Sequence, residues 1–219
     1  MKRQKIQGFF ITGSDTDVGK THIGRQIIAQ LKSRLPSLKV RKPVESGCTR
    51  HAGGYFPADG DALFRSNDKR EDLDTVTPYR FEAALAPDQA ARREGKSITL
   101  QQLSEAVLKN VEAQDFLLVE GAGGFYSPIA EDGLNADLAR RLGLDMIIVI
   151  EDRLGAINQA LLTRQAVESV GLKVKAIILN QRSASLPETD NLTEIRKRVD
   201  CPVRVCPFQQ VADDFQLLD

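Results

Sequence analysis

Gly13-Ser14-Asp15-Thr16-Asp17-Val18-Gly19-Lys20-Thr21 is the stretch of this chain whose residue types and spacing can do chemistry. A glycine turn that feeds a helix gathers several backbone N–H groups about one point, and the positive end of the helix dipole adds to them. Such a point suits phosphate. Lys20 would then reach the outer phosphates of a nucleoside triphosphate, and the Thr21 hydroxyl would ligate Mg²⁺. The general loop pattern has its first glycine where Ser14 stands, so Gly13 comes one place early. Gly-Lys-Thr alone is a weak signal; its flanks strengthen it. Ile6 to Ile11, with Phe9 and Phe10, reads as a buried strand, and Ile23, Ile27, Ile28, Leu31 and Leu35 recur at helical spacing.

Other chemistry-bearing residues stand at the ends of further strand candidates. Glu120 closes the apolar run Phe116 to Val119 and opens Gly121-Ala122-Gly123-Gly124. An acid at that edge is placed to hold Mg²⁺, and the glycines let backbone approach a phosphate closely. Lys42, in Lys39-Val40-Arg41-Lys42-Pro43-Val44-Glu45-Ser46-Gly47, is either a solvated surface charge or a cation for a transferring phosphoryl group. Asp61 is a third Mg²⁺ ligand or a helix cap. Asn180, after Ile177-Ile178-Leu179, can pair with the edge of a base or serve as a turn residue. Gly155-Ala156-Ile157-Asn158 opens a helix whose free N–H groups suit a carboxylate.

The elements that must position these residues alternate. Strands are expected at Lys39–Val44, Phe116–Glu120, Met146–Ile150, Ala176–Leu179 and Val203–Val205. Leu100, Leu103, Val107, Leu108 and Val111 would share one helix face, Ile157, Leu161, Leu162 and Val170 another, and Asp190–Val199 is a shorter helix candidate. Continuous apolar strands separated by helices predict an α/β fold, a mostly parallel sheet flanked by helices, with ligands at the strand C-terminal edge. Residues 46–80 read as an excursion over that edge, and residues 208–219 as a patternless, mobile tail.

Composition narrows the function classes. Thirty basic and thirty acidic residues give a formal net charge of zero, which offers no electrostatic case for nucleic acid or an anionic membrane. No apolar run reaches the length of a membrane span, and a strand follows the basic lead-in Met1–Lys5 where a signal peptide would have its apolar stretch. Three cysteines (Cys48, Cys201 and Cys206), without Cys-x-x-Cys, and two histidines fit a reduced, cytoplasmic protein rather than a disulfide or zinc scaffold. The length fits one domain over residues 1–219.

Taken together, the loop at Gly13 to Thr21, Lys42-Pro43-Val44-Glu45-Ser46-Gly47, Val119-Glu120-Gly121-Ala122-Gly123-Gly124 and Arg153-Leu154-Gly155-Ala156-Ile157-Asn158 resemble the dethiobiotin synthetases. The likeness runs in order across roughly residues 5–182, and the family's loop also carries its first glycine one place early. The resemblance implies a P-loop, ATP- and Mg²⁺-dependent ligase that closes the ureido ring of dethiobiotin from 7,8-diaminononanoate and CO2, via a carbamate and a carbamic–phosphoric anhydride. It implies Lys20 and Lys42 as catalytic lysines, and Thr21, Asp61 and Glu120 as Mg²⁺ ligands. Gly13, Asp17, Val18, Gly19, Lys20, Thr21, Glu120, Gly121, Gly123 and Asn180 would hold the nucleotide, Asp17 standing where the family often has Glu. Thr16, Lys42 and Ser46 would line the substrate site. The family is homodimeric, so Gly155 and Asn158 would reach the substrate carboxylate of a neighbouring subunit. Gln181, where an acid is expected, and the short C-terminus without the expected Gly depart from the pattern and bear on the choice of nucleotide. Two further readings are a cobyrinate-type amidating ligase, whose glutaminase domain this length leaves no room for, and a partitioning-type ATPase, whose extra early loop lysine is replaced by Ser14-Asp15.

Overall fold

Strands that are apolar on both faces need helices on both sides, and the chain supplies them. The computed structural model describes residues 6–184, 190–210 and 212–218; Met1–Lys5 lie outside the described residues. In chain order, β1 (Gln7–Gly13) leads to α1 (Lys20–Leu31), β2 (Leu38–Arg41) and β3 (Val44–Glu45). The excursion follows as β4 (Thr49–His51), β5 (Gly54–Phe56), α2 (Ala58–Ser66), α3 (Leu73–Val76) and β6 (Tyr79–Arg80). Then come α4 (Pro87–Arg93), α5 (Leu100–Leu108), β7 (Phe116–Gly124), β8 (Pro128–Ala130), β9 (Gly133–Leu134) and α6 (Asn135–Leu142). The last elements are β10 (Asp145–Glu151), α7 (Ala156–Ser169), β11 (Val174–Asn180), α8 (Asn191–Arg196) and β12 (Val203–Cys206).

The main sheet is six-stranded, in the order β12-β11-β10-β1-β7-β2, and every pairing in it is parallel. Strand order reverses around β1, so the crevice at the C-terminal ends opens there, where the glycine loop leaves β1. Alternation along β1 divides the core. Phe9 and Ile11 pack with Ile23, Ile27 and Ile28 of α1, while Phe10 packs on the other side with Val119, Ile148, Leu103 and Leu138. Each such fully buried Ile, Leu or Phe contributes about 1.5–3 kcal/mol.

Several expectations need correction. The strand expected over Lys39–Val44 stops at Arg41; Pro43 brings no N–H to a ladder, and Val44–Glu45 pair instead with Tyr79–Arg80 in a separate small sheet. Glu120 does not end its strand: β7 continues to Gly124, in register with Gly13 after an irregularity. The buried face of α7 is Ala156, Ala160, Thr163 and Val167, not the one that includes Leu162, which is 57% exposed. Val111 packs from beyond the end of α5. The tail, expected to be mobile, is docked over residues 212–218: Phe215 is buried, and the Gln30 side chain of α1 accepts from its N–H and donates to the carbonyls of Ala212 and Asp213. Among the described residues no helix is long and apolar enough to cross a membrane.

Candidate functional site

The glycine loop is held by its neighbours at both ends. Ser14 N–H donates to Val149 O at 3.2 Å, and the Asn180 side-chain amide donates to Val18 O at 2.9 Å. Gly19 sits at φ 93°, and a Cβ there would lie 2.0 Å from Asn180 Nδ2. Only glycine fits both the left-handed backbone and that close approach. Gly19 is also the N-cap of α1, and among the described residues no side chain caps that end. That leaves its first N–H groups without a side-chain acceptor where Gly19, Lys20 and Thr21 line the cleft, as anion binding requires.

A cleft of about 670 Å³ opens over the loop, lined by Thr16, Asp17, Gly19, Lys20, Thr21, Lys42, Ser46 and Glu120 among others. Glu120, 1% exposed on β7, is its hub. Its Oε1 accepts from Thr21 Oγ1 at 2.8 Å and from Lys42 Nζ at 2.6 Å. Its Oε2 is buried with no hydrogen-bond partner among the described residues. A buried carboxylate oxygen left unpaired is costly; this one lies against α1, where a Cβ on Gly24 would be 3.4 Å from it, so the carboxylate would have to turn to present it to a hard cation. Lys42 also lies 3.2 Å from Asp59 Oδ2.

The two lysines differ electrostatically. Burial, joined by the neighbouring Lys42 charge, brings Lys20 down to about 8 against the pull of Glu120; its Nζ donates to Asp15 O at 2.8 Å. Burial acts to lower Lys42 as well, but the Glu120 and Asp59 carboxylates outweigh it and hold the ammonium above the usual lysine range. Burial raises Glu45 above the usual carboxylate range, against Lys42 and two backbone N–H donors.

The remaining expected residues divide. Gly123 lines the cleft; Gly121 does not, because its Cα faces Phe10 and the Asn135 amide in the interior. Gly13 and Val18 are buried beneath the loop. Ser46 Oγ donates to Leu85 O at 2.6 Å. Asp61 is turned to Arg65 at 2.6 Å and is not among the cleft's lining; Asp59, two positions nearer the start of α2, is. Gly155 and Asn158 are exposed outside this chain's own cleft. Sequence reasoning missed Asp59, Glu45 and Arg182, whose guanidinium donates to Asp17 O at the cleft wall. Each stood within two positions of a residue already singled out: Asp61, Ser46 and Asn180.

Comparison with known proteins agrees with the geometry. The family model described as "AAA domain" matches residues 7–206. The chain is 36% identical to the ATP-dependent dethiobiotin synthetase BioD of Ruthia magnifica subsp. Calyptogena magnifica over 200 residues, covering 91% of each. It is 38% identical to the protein of the same name from Bacillus subtilis (strain 168), covering 86% of this chain and 80% of that one. In fold it is similar to a chain of the MinC:MinD cell division protein complex of Aquifex aeolicus, with a TM-score of 0.54 at 16% identity, over 95% of this chain and 84% of that one.

Proposed function

The chain belongs to the dethiobiotin synthetase family and is an ATP-dependent ligase, and from that premise we propose the substrates, the steps and the residues that carry them. One amine of 7,8-diaminononanoate adds to CO2 and loses a proton, giving a carbamate. The carbamate oxygen takes the γ-phosphoryl group of ATP, and ADP departs. The second amine attacks the carbonyl carbon and loses a proton, phosphate leaves with the C–O electron pair, and the ureido ring of dethiobiotin closes. The middle step makes a poor leaving group into a good one. It also needs cations where negative charge moves.

The observation that carries the reading is the shared Glu120 oxygen, which brings Thr21 and Lys42 together at the mouth of the glycine loop. Thr21 and Glu120 bring two hard oxygen donors together at the cleft, a chemistry that fits Mg²⁺; that ion would neutralise charge on the β- and γ-phosphates. Asp61, proposed as a third ligand, would have to leave Arg65 to serve. Asp17, Gly19 and Gly123 line the nucleotide side and Gly13, Val18 and Asn180 hold the loop from beneath, whereas Gly121 faces the interior and would have to act through the strand it belongs to. Lys20 binds the outer phosphates, Lys42 meets the transferring phosphoryl group, and Thr16 and Ser46 line the diamine side. The catalytic unit is residues 1–219, acting in the cytoplasm with its three cysteines free.

A homodimer is part of the proposal. Leu154 is 80% exposed, Leu162 57% and Tyr126 51%, and the Tyr126 hydroxyl hydrogen-bonds to Ala166 O and Ser169 Oγ of α7. That apolar surface, beside Gly155 and Asn158, supports a second copy docking there and receiving the α7 N-terminus at its own substrate carboxylate. The test of the activity is phosphate release with ATP, Mg²⁺ and bicarbonate, with and without the diamine. Diamine-dependent release with dethiobiotin as product is expected; hydrolysis indifferent to the diamine refutes the reading.

A further inference from the structure

Glu45 is an ionisable residue only 6% exposed, and the steps above give it no task. It stands on β3, yet its carboxylate reaches α2: Oε1 accepts from Asp59 N–H at 3.1 Å and Oε2 from Gly60 N–H at 2.8 Å. These are first-turn donors of a helix whose own N-cap, Pro57, offers no side-chain acceptor. Glu45 is thus a cap supplied from another element. The same turn is closed from the other side, since a Cβ on Gly60 would lie 2.0 Å from Thr77 Oγ1.

What this fixed turn presents is Asp59, 3.2 Å from Lys42 Nζ. Lys42 therefore has two anionic partners from two elements, Asp59 on α2 and Glu120 on β7. The two are not equivalent. Glu120 is buried and shared with Thr21, whereas the Asp59 carboxylate is half exposed to the cleft. Glu120 Oε1 is divided between Thr21 and Lys42, so Asp59 is the carboxylate at Lys42 that Thr21 does not also hold.

We propose that Glu45 and Asp59 are positioning residues for Lys42: Glu45 sets the first turn of α2, the turn sets Asp59, and Asp59 aims the Lys42 ammonium into the cleft while Glu120 is shared with Thr21. The proposal rests on the reading of Lys42 as the cation that meets the transferring phosphoryl group. Displacing such a group by about 1 Å costs on the order of a hundredfold in rate.

The experiment measures kcat, ATP affinity and thermal midpoint of the full chain for Asp59→Asn, Glu45→Gln, the double variant and Lys42→Ala. Asp59→Asn, at a half-exposed position, is expected to lower kcat about tenfold or more with ATP affinity and thermal midpoint near wild type. The double variant is expected to fall no further than Asp59→Asn alone, because both act through one ammonium. A wild-type kcat for Asp59→Asn while Lys42→Ala is inactive overturns the positioning proposal alone. A double variant whose losses multiply returns Glu45 to a purely structural role and overturns the link from it to Lys42. An active Lys42→Ala overturns the proposed role of Lys42 and this inference with it.

Discussion

Two lysines within one cleft carry opposite shifts: burial lowers both, and only at Lys42 do the neighbouring carboxylates outweigh it. Lys20 rests its ammonium on a carbonyl, Asp15 O, while Lys42 sits between two carboxylates. Removing Lys20 takes away a charged donor meant for phosphate, an interaction of about 1.5–3 kcal/mol. Lys20→Ala is therefore expected to weaken ATP binding roughly tenfold to a hundredfold and to lower turnover as well. Lys42→Ala is expected to abolish turnover while titration calorimetry finds ATP affinity within about twofold of wild type, since Lys42 acts on the moving group. A lost affinity in Lys42→Ala would instead make it a nucleotide-binding residue.

The capped first turn of α2 also has a pH consequence. Glu45 has its folded-state pKa raised above the value of 4.5 it has when unfolded, so the folded form holds the proton more tightly. Its contribution to stability is therefore greatest below about pH 4.5 and is lost as pH rises through the raised value. Denaturant midpoints compared below pH 4.5 and at pH 7 should change less favourably with rising pH in the wild type than in Glu45→Gln; the same pH dependence in both would refute it. The α2 cap was not legible in the sequence, because it depends on β3 meeting a helix across a chain reversal. What was legible came from long elements: β1, β7, β10 and β11 are continuous apolar runs, and the glycine loop is read from its strand and helix. A two-residue strand such as β3 leaves no periodicity to find. The face of α7 was misread because Ala156, Ala160 and Thr163 make its buried contact, while the larger Leu162 faces outward. Glu120 was found because an acid following an apolar run is conspicuous; its bond to Lys42 was not, since β2 and β7 become neighbours only in the folded sheet.

For the molecule as a whole, the proposed dimer ties assembly to activity. Leu162→Asp would bury an unpaired carboxylate at the interface, at a cost of about 3 kcal/mol or more, so roughly hundredfold weaker association is expected. Sedimentation at micromolar concentration should then give monomer where the wild type gives dimer, and turnover should fall as the α7 N-terminus is no longer delivered to a neighbour. A wild-type monomer under those conditions would refute the interface. The order of strands has another consequence, set by the direction of synthesis. β1 is made before its partners: Gln7 pairs with Phe116 and Phe9 with Asp145, so this strand waits for neighbours from the second half of the chain. Non-local parallel pairing of this kind slows folding and leaves early strands without neighbours. The loop at the tip of β1 takes its shape from Val149 and Asn180, so a nascent or truncated chain has the complete loop sequence and no seat for a nucleotide.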